Sequence, residues 1–231
     1  MSTILNIETS GNACSVAVWK DGEVPFTRED TSGPNHGERL GRFVEEALMA
    51  VDGRGVTLDA VAVSSGPGSY TGLRVGVSMA KGICYGRDLP LVAVPTLELL
   101  CVPVLLQSDN MEEDALLCPM IDARRMEVYA ALYDRSLRPV RGTCADIVDD
   151  GTYKAFLDAH KVYFFGSGAK KCRGVISHEN AVFTGEKEAL ARWMGPLAEK
   201  HVAQGTFMDT AYFEPFYLKD FVAKVGRIKG L

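Results

Sequence analysis

Leu58–Asp59–Ala60–Val61–Ala62–Val63–Ser64–Ser65–Gly66–Pro67–Gly68–Ser69 is a run of mostly apolar residues of strand length that ends in a glycine- and proline-rich turn. A near-continuous apolar run over Leu58 to Ser64 predicts a strand buried on both faces, the habit of parallel sheets. The residues from Tyr70 to Tyr85 read as a helix closed by Gly86, and Leu89 to Val94 is a second buried strand. A strand, a helix and a strand in that order predict an α/β lobe.

Upstream, Ile4, Leu5 and Ile7 form a short apolar run, Thr9–Ser10–Gly11–Asn12 supplies turn residues, and Cys14 to Trp19 alternates small and large side chains. With a third segment near Val24 to Arg28, this predicts a meander opening a sheet. Leu40, Phe43, Val44, Ala47, Leu48 and Val51 recur at intervals of three and one, which predicts an amphipathic helix between Pro34–Asn35 and Gly53. Downstream of Pro95 a helix is expected to about Leu106, and the pattern then restarts. Leu116 to Ile121 is apolar, Asp122–Ala123–Arg124–Arg125 is polar, and Glu127 to Tyr133 alternates. Lys161 to Phe165 reads as a strand, Lys187 to Gln204 as a helix interrupted at Gly195–Pro196, and Tyr212 to Val225 as a segment folding back on the first lobe. The restart predicts a pseudo-duplicated chain.

Composition narrows the function. The chain has 231 residues, 47% of them apolar and 24% charged, and 25 basic against 30 acidic side chains give a net charge of −5. This describes an ordinary globular protein and excludes a disordered, collagenous or disulfide-stapled chain. No basic stripe of the kind that grips a phosphate backbone precedes the last dozen residues, where Lys219, Lys224, Arg227 and Lys229 face only Asp220. Cys14, Cys84, Cys101, Cys118, Cys144 and Cys172 form no CxxC pair, so neither a zinc knuckle nor a thioredoxin-type centre is expected. Met1 leads directly into Ile4–Asn6–Ile7 without the features of a secretory signal, and the richest apolar stretch, Leu97 to Leu106, is too short to span a membrane. A cytoplasmic protein without membrane contact is expected.

Candidate chemistry concentrates in two turns. Gly66, Gly68 and Ser69 precede a helix N-terminus, whose unpaired N–H groups and dipole suit an anion. Glu8, Thr9 and Ser10 end the first strand, where such a turn could hold phosphate oxygens while the acid orients a metal or a water. Both also serve as plain turns. The sequence has neither a Walker A loop nor a GxSxG elbow, Gly166–Ser167–Gly168 being a tight turn. His36 has Leu40, not histidine, four residues on, and His160, His178 and His201 sit in unrelated segments, so no metal site is expected. Gly72, Gly76 and Ala80 lie along one helix face, with Gly82 and Gly86 adding to the glycine load. Each glycine within a helix costs about 1 kcal/mol relative to alanine, so such a stripe implies close packing, against a partner helix or against the protein's own sheet.

From Ser65–Gly66–Pro67–Gly68–Ser69–Tyr70–Thr71–Gly72–Leu73–Arg74–Val75–Gly76 through Ala80–Lys81–Gly82, the chain resembles the TsaB family, also called YeaZ. Ile4 to Ser10, Asp122–Ala123–Arg124–Arg125–Met126–Glu127–Val128–Tyr129 and Pro215–Phe216–Tyr217–Leu218–Lys219 resemble that family's opening strand and turn, second-lobe strand and C-terminal motif. Glu8 stands where many relatives have Asp, and Lys219 where many have Arg. The resemblance implies an actin/sugar-kinase-like ATPase fold of two ribonuclease-H-like lobes, the second reduced: residues 1–98, 99–205, and a C-terminal segment 206–231 returning to the first lobe.

It also implies an accessory role without catalysis, in the bacterial machinery that makes threonylcarbamoyladenosine in tRNA. The partners implied are the catalytic paralogue TsaD and the ATPase TsaE, with a homodimer when the chain is alone and tRNA met only through the complex. In TsaD a His–x–x–x–His pair binds metal, and here the matching positions are His36 and Leu40. By position, Leu40, Phe43 and Ala47 on one helix and Gly72, Leu73, Gly76, Val77 and Ala80 on the next are implied in the partner interface. No cofactor is required, and weak ATP or ADP binding is compatible with the fold. The competing reading is an autonomous ATP-dependent phosphotransferase or hydrolase using Glu8 and the Gly66 to Ser69 turn; the alanine and two arginines at residues 123–125, where a phosphate turn needs glycine, count against it.

Overall fold

The computed structural model describes residues 2–219 apart from Pro34, Asp109 and Glu186. The first sheet contains β1 (Thr3–Glu8), β2 (Cys14–Lys20), β3 (Glu23–Asp30), β4 (Ala60–Gly66) and β5 (Leu91–Pro95), with α1 (His36–Asp52) between β3 and β4 and α2 (Tyr70–Arg87) between β4 and β5. Its order is β3-β2-β1-β4-β5: the meander is antiparallel, and β1, β4 and β5 run parallel. After α3 (Thr96–Gln107), the second sheet is built from β6 (Leu116–Asp122), β7 (Glu127–Tyr133), β8 (Pro139–Ile147), β9 (Val162–Phe165) and β10 (Ala181–Phe183). Its order, β10-β9-β6-β7-β8, is the first order repeated. Both lobes are therefore ribonuclease-H-like. The second is reduced in its helices, α4 (Lys154–Leu157) and α5 (Ala169–Cys172) being single turns.

Strand alternation decides what each face meets. Leu5, Ile7, Val16, Val61 and Val63 point toward Leu40, Val44, Ala47 and Val51 of α1 and Val77, Ala80 and Cys84 of α2. The opposite face, with Ile4, Trp19, Ala60, Ala62, Val92 and Val94, packs on Leu99 and Val102 of α3 and on Leu197 and Ala198 of α6 (Gly195–Gln204). Gly195 opens α6 without a side chain because a Cβ there would lie 2.1 Å from the Trp19 ring. The helix α3 is apolar all round, as a helix between two sheets must be. Leu97, Leu100, Cys101 and Val104 bury against Leu117, Ala131, Tyr133 and Phe165 of the second sheet.

Several expectations shift. The lobe boundary at 98 falls inside α3, which serves both sheets. Residues 191–204, counted with the second lobe from the sequence, pack on the first sheet instead. The helix expected from Lys187 begins only with a 3-10 turn at Ala191–Trp193, and α2 closes past Gly86, on Asp88 in a left-handed conformation (φ 53°). Strands β8 and β10 went unforeseen, since Pro139–Ile147 is a largely exposed edge with little apolar alternation and Ala181–Phe183 has three residues. From Met208 to Phe216 the segment after α6 lies against the first lobe, its residues 220–231 falling outside the described residues: Met208 bridges to Leu91, the Phe216 N–H donates to the Ser65 carbonyl, and the Lys81 ammonium donates to the carbonyls of Ala211 and Phe213. The basic residues Lys224, Arg227 and Lys229 lie outside the described residues. Among the described residues no helix is long and apolar enough to cross a membrane.

Candidate functional site

The two candidate turns lie side by side, at the C-terminal edges of β1 and β4, where open α/β sheets place their ligands. They are closed on each other. The Ser69 N–H donates to the Ser10 carbonyl at 2.7 Å, Ser69 Oγ accepts the Gly72 N–H as the cap of α2, and Thr9 Oγ1 donates to the Gly72 carbonyl at 2.8 Å. A Cβ on Gly68 would sit 2.4 Å from the Ser10 carbonyl oxygen, and one on Gly66 would sit 2.5 Å from that of Phe216. Glycine here lets two of the chain's own turns approach to hydrogen-bonding distance. Glu8 and Thr9 are fully buried and Ser10 nearly so.

The Glu8 carboxylate accepts the Ser10 N–H with one oxygen, while the other has no partner among the described residues. Burial pushes its pKa above the ordinary glutamate range, and the Ser10 N–H offsets only part of that rise. Asn6 and Ser64, on the same face, are also fully buried with side-chain polar atoms unpartnered. Ser15, opposite Glu8 on β2, accepts the Ala191 N–H at 2.9 Å, so the turn before α6 seals this polar strip.

His36 Nε2 lies 3.0 Å from the Gly11 carbonyl, to which it donates, and its ring packs against Gly72. Among the described residues no group of three His, Cys, Asp or Glu side chains could hold a metal ion.

The helical stripe requires a correction. Gly72 and Gly76 face inward, where a Cβ would meet the Thr9 carbonyl at 2.1 Å and Thr9 Oγ1 at 2.2 Å. Leu40, Ala47, Leu73, Val77 and Ala80 are likewise buried in the chain's own core. Of the eight residues expected at a partner surface, only Phe43 is partly exposed. The reason is that α1 and α2 must cover the first sheet with their most apolar faces, and those faces carry the periodicity. The outward side of α2 is different. Arg74, Val75, Ser78, Met79, Gly82 and Ile83 line a shallow groove, a Cβ at Gly82 or Gly86 would meet nothing within 4 Å, and Tyr85 and Met49 of α1 are 90% and 63% exposed.

In the second lobe, the turn equivalent to Glu8–Ser10 is Asp122–Ala123–Arg124–Arg125. Arg124 and Arg125 both take left-handed backbone, at φ 72° and 50°. The Asp122 carboxylate accepts the Arg124 N–H at 2.7 Å and pairs with Lys171, and Glu127 pairs with Lys219. Partial burial raises the Asp122 pKa, but Lys171 and Arg124 outweigh it and hold the carboxyl below its usual range.

Two ribonuclease-H-like lobes around a shared helix make this an actin/sugar-kinase-like ATPase fold. The family model described as "TsaD: tRNA N6-adenosine threonylcarbamoyltransferase" matches residues 29–226. The chain is 29% identical over 227 residues to the tRNA threonylcarbamoyladenosine biosynthesis protein TsaB of Escherichia coli, covering 95% of this chain and 96% of that one. It is 35% identical over 131 residues to the Bacillus subtilis protein of the same name, a match spanning 57% of this chain and 55% of that relative. YeaZ from Pseudomonas aeruginosa superposes with a TM-score of 0.76 at 24% identity, over 94% of this chain and 100% of that structure. The chain belongs to the TsaB (YeaZ) family, within the group that the TsaD model describes.

Proposed function

We propose that this chain is the non-catalytic subunit that binds and stabilises TsaD in tRNA threonylcarbamoyladenosine biosynthesis. The observation that carries the reading is the outward face of α2. A helix that needs glycine at 72 and 76 for its own packing has no internal use for glycine at 82 and 86, where the surface lies open between Met79, Ile83 and Tyr85. A groove floored by glycine between apolar walls suits the close approach of a partner helix. The same surface would pair with a second copy when TsaD is absent. The ATPase TsaE then engages the assembled pair, which meets tRNA as a complex in the cytoplasm. The closure of the Gly66 to Ser69 turn by Ser10 and Phe216 supports a subunit that turns over no ATP and needs no cofactor, weak nucleotide binding being incidental.

The test is light scattering of the chain with TsaD from the same organism. A heterodimer is expected with the natural chain. Gly82→Glu, which introduces bulk and charge at a position with open space, should weaken it by at least about 2 kcal/mol, roughly thirtyfold in Kd, while melting no lower than the natural chain. Failure of the natural chain to bind TsaD, or ATP turnover by the chain alone that Glu8→Gln abolishes, would overturn the reading.

A further inference from the structure

The Arg124–Arg125 turn is not accounted for by the partner groove. Two consecutive arginines hold left-handed backbone, which side-chain-bearing residues rarely adopt and which costs free energy that glycine would not. Their side chains are exposed, and neither guanidinium makes a hydrogen bond or salt bridge among the described residues. The nearby carboxylates are already answered: Asp122 by Lys171, whose ammonium also donates to the Glu127 carbonyl at 2.6 Å, and Glu127 by Lys219. Lys170 stands beside Lys171 on α5 and is exposed. Five cations thus gather around two carboxylates at one edge of a protein whose net charge is −5. This edge holds the C-terminal ends of β6 and β9, and Lys219 reaches it directly after the chain has left Ser65 of the first lobe.

We propose that this turn is an RNA contact, with Arg124 and Arg125 placed to take backbone phosphates of the RNA on which the assembly acts; the inference rests on the reading of the chain as a subunit of a tRNA-modifying complex. The chemistry favours phosphate over a base edge. Exposed guanidiniums on a short turn offer forked donors without a recess for a base. With a net charge of −5 over the chain, RNA contact is expected at such a cluster of cations and not across the surface at large.

The experiment is a titration of an unmodified tRNA transcript into the full chain, alone and with TsaD, at several salt concentrations. Arg124→Glu/Arg125→Glu is compared with Lys20→Glu/Arg54→Glu, which makes the same charge change at the opposite edge of the first sheet. The arginine pair should lose about tenfold or more in affinity, with the salt slope reduced by about 2, and the control pair should not. Arg124→Gly/Arg125→Gly, which suits the backbone, should lose affinity while melting no lower than the natural chain. The proposal falls if the natural chain and the arginine variants bind RNA equally, with or without TsaD, or if no RNA binding is measurable. It also falls if the variants keep RNA binding but lose TsaD, which would make the turn a protein contact. Loss of RNA affinity with the TsaD complex intact supports it; if no TsaD complex forms at all, the reading of the chain as a TsaD subunit is defeated and the titration of the chain alone decides this one, loss of affinity in the arginine variants supporting it and equal binding overturning it.

Discussion

Gly76 and Gly82 stand six residues apart on one helix and answer opposite demands. Gly76→Ala would force a methyl group to 2.2 Å from Thr9 Oγ1, so it should destabilise the chain by about 1–3 kcal/mol despite alanine's better helix propensity. Gly82→Ala meets open space and should stabilise the free chain by about 0.5–1 kcal/mol. Chemical denaturation of the two variants checks both signs. Glu8 makes a pH prediction. Its folded pKa lies above the unfolded value of about 4.3, so the stability carried by the protonated carboxyl is complete below that pH and is lost as pH rises through the folded value. Glu8→Gln should therefore melt higher than the natural chain at pH 7–8, with the gap closing near pH 4. Gly72 and Gly76 were legible as a packing stripe from their spacing, but their neighbour was not. That neighbour is Thr9, more than sixty residues upstream, and no local pattern encodes such a contact. The left-handed arginines were equally hidden, because only glycine and asparagine advertise that conformation in sequence.

At the level of elements, α1 follows from its period, and α2, α3 and the strands β1, β2, β4 to β7 and β9 from apolar runs bounded by turn residues, since each has an apolar face to bury. The elements that escaped are those with little to bury. β8 is an exposed edge strand, α4 and α5 have four residues each, and Lys187–Leu190 carries apolar residues that a coil buries as well as a helix would. The segment after α6 joins the core through Met208 and Phe213, and Lys81 ties it down through two carbonyls. A chain ending at Gly205 should remain folded but melt several degrees lower, as circular dichroism would show. An unchanged melting temperature would mean that the strap contributes no stability.

At the scale of the molecule, two copies of one strand order share α3, and the duplication was readable because each copy opens with the same antiparallel meander. What was not readable is that the copies are not separable. The first sheet's second face is covered by α3 and by α6, which lies about a hundred residues beyond its last strand. Residues 1–98 alone would leave Ile4, Ala60, Val92 and Val94 uncovered, so that fragment should be soluble only as an aggregate or with a chaperone, and size-exclusion chromatography would show it. The order of synthesis adds a further consequence. A ribosome making this protein leaves one side of a finished five-stranded sheet covered by α3 alone until Gln204 has been added and α6 has cleared the exit tunnel. The first lobe therefore waits, half-covered, through about a hundred further residues of synthesis, and products of translation truncated before Gly195 should be far more exposed to chaperones and proteases than chains that contain α6.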